Sequence, residues 1–247
     1  MNFNQKLGLS YTQKLDHIKA LLDNSQQFDG ETYCVIKSGI KIDVFKNVFS
    51  PSYFDDSEYF ANNIQSVRGL DVLEIGTGTG LIAIKLAIEN AQKVVATDVN
   101  PDAVNNARHN VLKHNLQSKV DIRQGYIFQP VKGEKFDLIF WNIPFGYVDT
   151  DLKTEIGLCH RISELEKSVF NPYYNFLHDY LNEGFDYLKS NGKLLLGFSP
   201  TIGREDILDD IIKDLDLKKK IIKENKVEMD GSVEILQILE IERKNLI

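Results

Sequence analysis

From about Leu70 onward, short β-branched apolar runs alternate with longer amphipathic ones, and few architectures accept that rhythm. The short runs predict strands over 71–75, 93–98, 120–124, 136–142 and 193–199, each apolar enough to be buried on both faces. The longer ones predict helices over 80–90, 101–114, 172–189 and 204–215. Asn100 before Pro101 and Asn171 before Pro172 read as N-caps followed by first-turn prolines, where the missing N–H costs nothing. Asn191-Gly192 reads as a turn delivering the fifth strand. Two further β-rich runs, 218–224 and 233–242, flank the turn signal Met229-Asp230-Gly231-Ser232. The order predicts an α/β protein: a doubly wound, seven-stranded, mostly parallel sheet with one antiparallel strand.

Ahead of that core lie a predicted helix over 12–23, a hairpin of 33–37 and 41–45 around Ser38-Gly39, and an acidic helix start, Asp55-Asp56-Ser57-Glu58. The chain therefore divides into a small N-terminal helix-plus-hairpin extension, 1–65, and the main α/β domain, 66–247. With 247 residues, 43% of them hydrophobic, one such domain with an appendage is the expected size.

No apolar run approaches the length of a membrane span, and residues 1–10 lack the charged-then-apolar order of a secretory signal, so a cytoplasmic protein is expected. Cys34 and Cys159 stand in no metal or redox spacing, which predicts two reduced thiols and no metal site. His109 and His114, five apart on a predicted helix, read as surface residues. A net charge of -7 disfavours nucleic acid as the partner, although a local basic patch is compatible with an acidic total. Lys218, Lys219 and Lys220 form the one tight basic run and read as a solvated surface.

Glu74-Ile75-Gly76-Thr77-Gly78-Thr79-Gly80 carries the chain from the first strand of the alternating region into a helix. Ligands of parallel sheets bind at strand C-termini where the winding reverses, and glycines there permit positive φ and a close approach of backbone to ligand. Dinucleotide folds favour GxGxxG and place a pyrophosphate at the helix N-terminus. Here Gly76, Gly78 and Gly80 alternate strictly behind an acid. A carboxylate at Glu74 repels a phosphate and suits the cationic amino group of a methionine moiety. Asp98 ends the second strand about 20 residues on, where an acid accepts both hydroxyls of a ribose. Thr77 and Val99, beside these acids and glycines, are expected cofactor contacts too, as are Gly80, Tyr126 and Asn142.

The fourth strand ends in Asn142-Ile143-Pro144-Phe145-Gly146. Ile143 precedes a proline and is pushed toward extended geometry, which orients its carbonyl. An amino group bonded to the Asn142 side-chain oxygen and to that carbonyl would have its lone pair turned out of conjugation, ready for in-line attack on a sulfonium methyl. Phe145 is placed to stack on a planar substrate.

On these motifs, Leu73 to Gly80, Ala96 to Val104 with Ala107 to Asn110, and Phe136 to Ile139 with Asn142 to Phe145, the sequence resembles class I S-adenosylmethionine-dependent methyltransferases, a Rossmann-like fold. It is most similar to those of the release-factor glutamine methyltransferase and small-domain N-methyltransferase group. The resemblance implies S-adenosyl-L-methionine as cofactor, with Glu74, Gly76, Gly78 and Asp98 holding it and Asn142, Pro144 and Phe145 gripping the nitrogen to be methylated. Two departures stand out. Ile143 replaces the first proline of the group's Asn-Pro-Pro-Tyr/Phe mark, and Tyr126 stands where many relatives carry an acid for the adenine amine, so a packing role on adenine is expected of it. Substrate choice falls to residues 146–171, and a protein side chain or a small molecule is the expected acceptor. A base amino group of RNA or DNA is the alternative on the same corner, and an NAD-linked oxidoreductase the alternative on the same fold.

Overall fold

The computed structural model describes residues 32–149 apart from 54 and 65, residues 168–244 apart from 230 and 231, and the single positions 13, 16 and 19. The helix expected over 12–23 and the thiol of Cys159 lie outside the described residues.

The chain order is β1 (Thr32–Lys37), β2 (Ile40–Phe45), α1 (Asp56–Asn63), β3 (Asp71–Ile75), α2 (Leu81–Ile88), β4 (Lys93–Asp98), α3 (Pro101–Lys113), β5 (Val120–Gln124), β6 (Phe136–Asn142), β7 (Gly146–Val148), β8 (Phe170–Pro172), α4 (Asn175–Glu183), β9 (Leu188–Phe198), α5 (Glu205–Asp214), β10 (Leu217–Met229) and β11 (Ser232–Arg243). Seven strands form the main sheet in the order β10-β11-β9-β6-β3-β4-β5. Only β11 runs antiparallel to its neighbours, as expected from the order of elements. The order reverses between β3 and β6, which puts the switch point at the end of β3.

The central strands β3, β4 and β6 are buried along nearly their whole length, as all-apolar parallel strands require. β5 departs from that expectation: its residues alternate between buried and more exposed, because it is the sheet edge. Asn191-Gly192 is also not a turn before a strand. β9 runs through it from Leu188, and Asn191, at φ 67°, sits in a bulge where the register with β6 slips.

The helix expected over 172–189 starts later. Residues 170–172 form β8, paired in parallel with β7, and Tyr173 and Tyr174 turn left-handed before α4 begins at Asn175. Asn171 still serves that helix, accepting from Phe176 N at 3.2 Å, but from five residues away rather than as its N-cap. Asn100 does cap α3 as expected, accepting from Asp102 N at 2.9 Å.

The described part of the extension packs on the sheet domain. Ser38 and Gly39, both at positive φ, make the tight turn of the β1–β2 hairpin. The side-chain oxygens of Asn110 and Asn106 on α3 accept from the backbone of Asp43 and Phe45 at 2.9 Å each, satisfying β2 where a strand partner is missing. His109 and His114, expected as plain surface residues, also reach β2, at Asp43 Oδ2 (2.8 Å) and at the Lys41 carbonyl (2.9 Å). α1 inserts Phe60, fully buried, against Phe140 of β6. Gly197 on β9 makes that possible, since a Cβ there would lie 2.9 Å from the Phe60 ring. Truncating Phe60 to alanine would cost roughly 3–5 kcal/mol and free the helix that delivers Asp56. No described helix is long and apolar enough to cross a membrane.

Candidate functional site

The C-terminal ends of β3, β4 and β6 open onto a cavity of about 440 Å³. Gly76, Gly78 and Gly80 all adopt positive φ, as the alternating glycines predict. At Gly76 a side chain is excluded twice, by its φ of 67° and because a Cβ would stand 2.9 Å from Trp141 Nε1. Gly76, Thr77 and Gly78 line the cavity. Gly80 lies just behind them, at the N-terminus of α2 and against Ala107 of α3, so its place is in helix packing rather than in the wall.

Glu74 is almost wholly buried and lines the cavity floor. Its Oε2 accepts from Thr77 Oγ1 at 2.8 Å. Burial above all, with the nearby Asp98 charge, pushes its carboxyl up to about 8. A cation arriving beside it would draw it back toward the ionised form. Asp98 accepts from Gly78 N and Asn100 N, both at 2.9 Å, so it ties the glycine loop to the cap of α3 while lining the cavity.

Val99 is half-exposed at the cavity mouth. Tyr126 lines the same region; its hydroxyl donates to Asp179 Oδ2 at 2.6 Å and its ring meets Phe176 edge-on. The phenol of Tyr126 thus takes its acid partner from α4.

At the other end, Asn142, Ile143, Pro144 and Phe145 line the cavity together. Asn142 Nδ2 donates to Asp56 Oδ2 at 2.8 Å, while its Oδ1 is buried and has no hydrogen-bond partner among the described residues. A buried amide oxygen without a donor is costly in a folded protein unless something else fills the role. Asp56, from α1, also accepts from Ser57 N at 2.8 Å. Burial pushes its carboxyl up to about 7 against the lowering pull of Asn142, with the charges of Glu234 and Asp55 adding to the rise. Phe145 is nearly buried and meets Phe198 edge-on, so its ring is partly committed to packing.

The structure therefore brings the expected residues to one cavity, with Gly80 alone behind the wall. Sequence reasoning missed Asp56 and Glu234, from α1 and β11, both buried and both lining it. A signal for Asp56 was present in the acidic helix start, where one acid more than a cap needs was spent on a position that turns inward. Glu234, an acid inside an apolar strand, is the same kind of signal. Among the described lining residues every charged side chain is acidic: Asp56, Glu74, Asp98 and Glu234.

Comparison with known proteins gives three findings. The model of the methyltransferase small domain family matches residues 39–164, just over half of the chain. The release factor glutamine methyltransferase of Aquifex aeolicus is 33% identical over 159 residues, covering 62% of this chain and 52% of that protein. The ribosomal protein uL3 glutamine methyltransferase of Francisella tularensis is 30% identical over 173 residues, covering 69% and 51%. The chain spans about half the length of these curated relatives. Among solved structures, the ribosomal protein L11 methylase of Lactobacillus delbrueckii aligns with a TM-score of 0.55 at 17% identity, over 80% of this chain and 82% of that one, a likeness of fold.

Proposed function

Because the chain belongs to the methyltransferase small domain family, we propose that it transfers a methyl group from S-adenosyl-L-methionine to an amide nitrogen of a protein side chain, glutamine being the residue the named relatives point to. One observation carries the reading: Asn142, whose buried Oδ1 has no donor among the described residues, lines the same cavity as the acid-and-glycine loop.

The residues present fit the cofactor. Glu74 meets an ammonium group, Asp98 a ribose, Gly76 and Gly78 give the backbone room, and Val99, Tyr126 and Phe176 provide flat apolar surface for a base. When bound, the cofactor supplies an electrophilic methyl on a sulfonium. Against it the chain works by orientation. The Asp56 carboxylate holds the Asn142 amide with its NH₂ turned to α1, so that Oδ1 points at the acceptor. That oxygen and the Ile143 carbonyl take the two N–H bonds of the acceptor nitrogen and twist its lone pair out of conjugation. An acceptor nitrogen so held would present its lone pair to the methyl and lose a proton on alkylation, with no strong base required of the chain.

The all-acidic wall weighs against both alternatives. A pyrophosphate or a nucleic-acid backbone would meet the carboxyls of Asp56, Glu74, Asp98 and Glu234, and the described lining residues include no Lys or Arg. Two of the three lysines of the basic run stand in ion pairs, Lys218 with Glu242 at 2.6 Å and Lys219 with Glu205 at 2.9 Å. Release factor and ribosomal protein uL3, each incubated with the chain and methyl-labelled cofactor, test the reading. A single added methyl on a glutamine of either supports it, whereas no label in these or in any cell-extract protein refutes it.

A further inference from the structure

The Asn142 corner is braced from behind. Tyr174 is fully buried, and its hydroxyl donates to the Phe145 carbonyl at 2.9 Å while accepting from Arg204 N, just before α5, at 2.9 Å. Tyr173 and Tyr174 stand at φ 52° and 51°. Two successive bulky residues in the left-handed region are strained, and they persist where the surroundings over-determine them. What over-determines them lies next to the site: the Tyr174 ring packs edge-on against Tyr147, and Gly146 N donates to the Val169 carbonyl at 2.9 Å. The turn they clamp is one that Ile143 leaves without a ring to fix its φ.

We propose that Tyr174 is a positioning residue for the acceptor corner, its hydroxyl pinning the Phe145 carbonyl to the start of α5 and so holding the Asn142–Phe145 turn in the geometry that presents Asn142 Oδ1 and the Ile143 carbonyl to an acceptor nitrogen. The use of that geometry rests on the methyl-transfer reading; the clamp itself does not. Burial raises the phenol well above its usual range, so the donor keeps its proton at any pH the protein meets. A hydroxyl that merely satisfied two buried backbone groups would stabilise the fold without favouring this turn over its neighbours.

Hydrogen exchange on the full chain separates the two. Tyr174→Phe keeps the ring and deletes only the hydroxyl. The clamp predicts that exchange of the amides in residues 143–148 rises about tenfold while β3 and β6 are unchanged. Adding Ile143→Pro, which fixes φ by its ring, should return most of the protection. Tyr173→Gly, which relieves the neighbouring strain without touching the hydroxyl, should leave 143–148 as protected as in the parent. Unchanged exchange at 143–148 in Tyr174→Phe, a rise shared equally by β6 and β9, or no recovery on adding Ile143→Pro would overturn the proposal. Titration of the parent protein with S-adenosylhomocysteine stands apart: failure to bind would sink the methyl-transfer reading and leave the exchange result to decide the clamp.

Discussion

The two ends of the cavity are built on opposite principles. At the glycine-loop end the polar groups satisfy one another over short stretches of chain: Thr77 with Glu74, Gly78 with Asp98, Asn100 with the first turn of α3. At the Asn142 end the groups arrive from α1, β6 and β11, and one of them, Asn142 Oδ1, has no donor among the described residues. A finished hydrogen-bond set makes a stable binding cradle, whereas an unfinished one in a dry corner is where binding energy can be spent on a reacting group. On the proposed methyl-transfer reading, the first end is for holding and the second for chemistry.

The largest effect expected is at the unfinished end. Asn142→Ala should lower turnover on a glutamine acceptor by about a hundredfold or more, the scale of losing an oriented polar group at the reacting atom, while S-adenosylhomocysteine affinity stays within a few fold. Single-turnover kinetics beside calorimetry checks both, and equal loss of turnover and affinity would erase the division of labour. Next, Glu74→Gln should weaken cofactor binding by about thirtyfold, as a charge-assisted hydrogen bond is exchanged for a neutral one; calorimetry that finds no loss would remove the ammonium from that carboxyl.

A third test concerns the acid that aims Asn142. With its carboxyl held at about 7, Asp56 is ionised above that pH and points Nδ2 toward itself; below it, a protonated oxygen competes to donate to Oδ1. Turnover should therefore climb through pH 7. Asp56→Asn should lose about tenfold at pH 8 and flatten the acid limb, and a limb that survives the substitution belongs to another group.

The smallest effect is on stability. Glu74 and Asp56 both hold their protons more tightly folded than unfolded, so the folded state binds the extra protons. The stability they contribute is full below the usual carboxylate range and is lost as pH rises through about 7 and 8. The ligand-free protein should lose on the order of 5 °C in melting temperature between pH 5 and pH 8.5 from these two groups. Glu74→Gln should remove part of that slope, and a melting temperature rising over the same window would contradict the sign.

The same contrast marks how far the sequence could be read. β3, β4 and β6 have the boundaries expected of them because each is a short apolar run whose burial on the sheet agrees with its local propensity, and β5 keeps its expected boundaries although its burial alternates at the sheet edge. Glu74, Gly76, Gly78 and Asp98 were found for the same reason: strand end, turn and helix start lie within a few residues of each other. The start of α4 was misjudged because Pro172 and Asn171 carry a helix signal that pairing of β8 with β7 overrides. Asp56 and Glu234 stand out locally, as a surplus acid at a helix start and an acid inside an apolar strand, but their neighbours along the chain do not tell that both reach the end of β6.

From its own pattern the chain determined a doubly wound sheet, the glycine loop at its switch point and the amide at the end of β6, all of which follow from hydrophobic period, turn chemistry and spacing along one stretch of backbone. Tertiary structure alone decided which acid reaches Asn142, that every charged side chain in the described cavity wall is acidic, and that Tyr174 braces the turn. Those facts join residues dozens of positions apart, and contacts of that kind are set by packing rather than by any local preference of the chain.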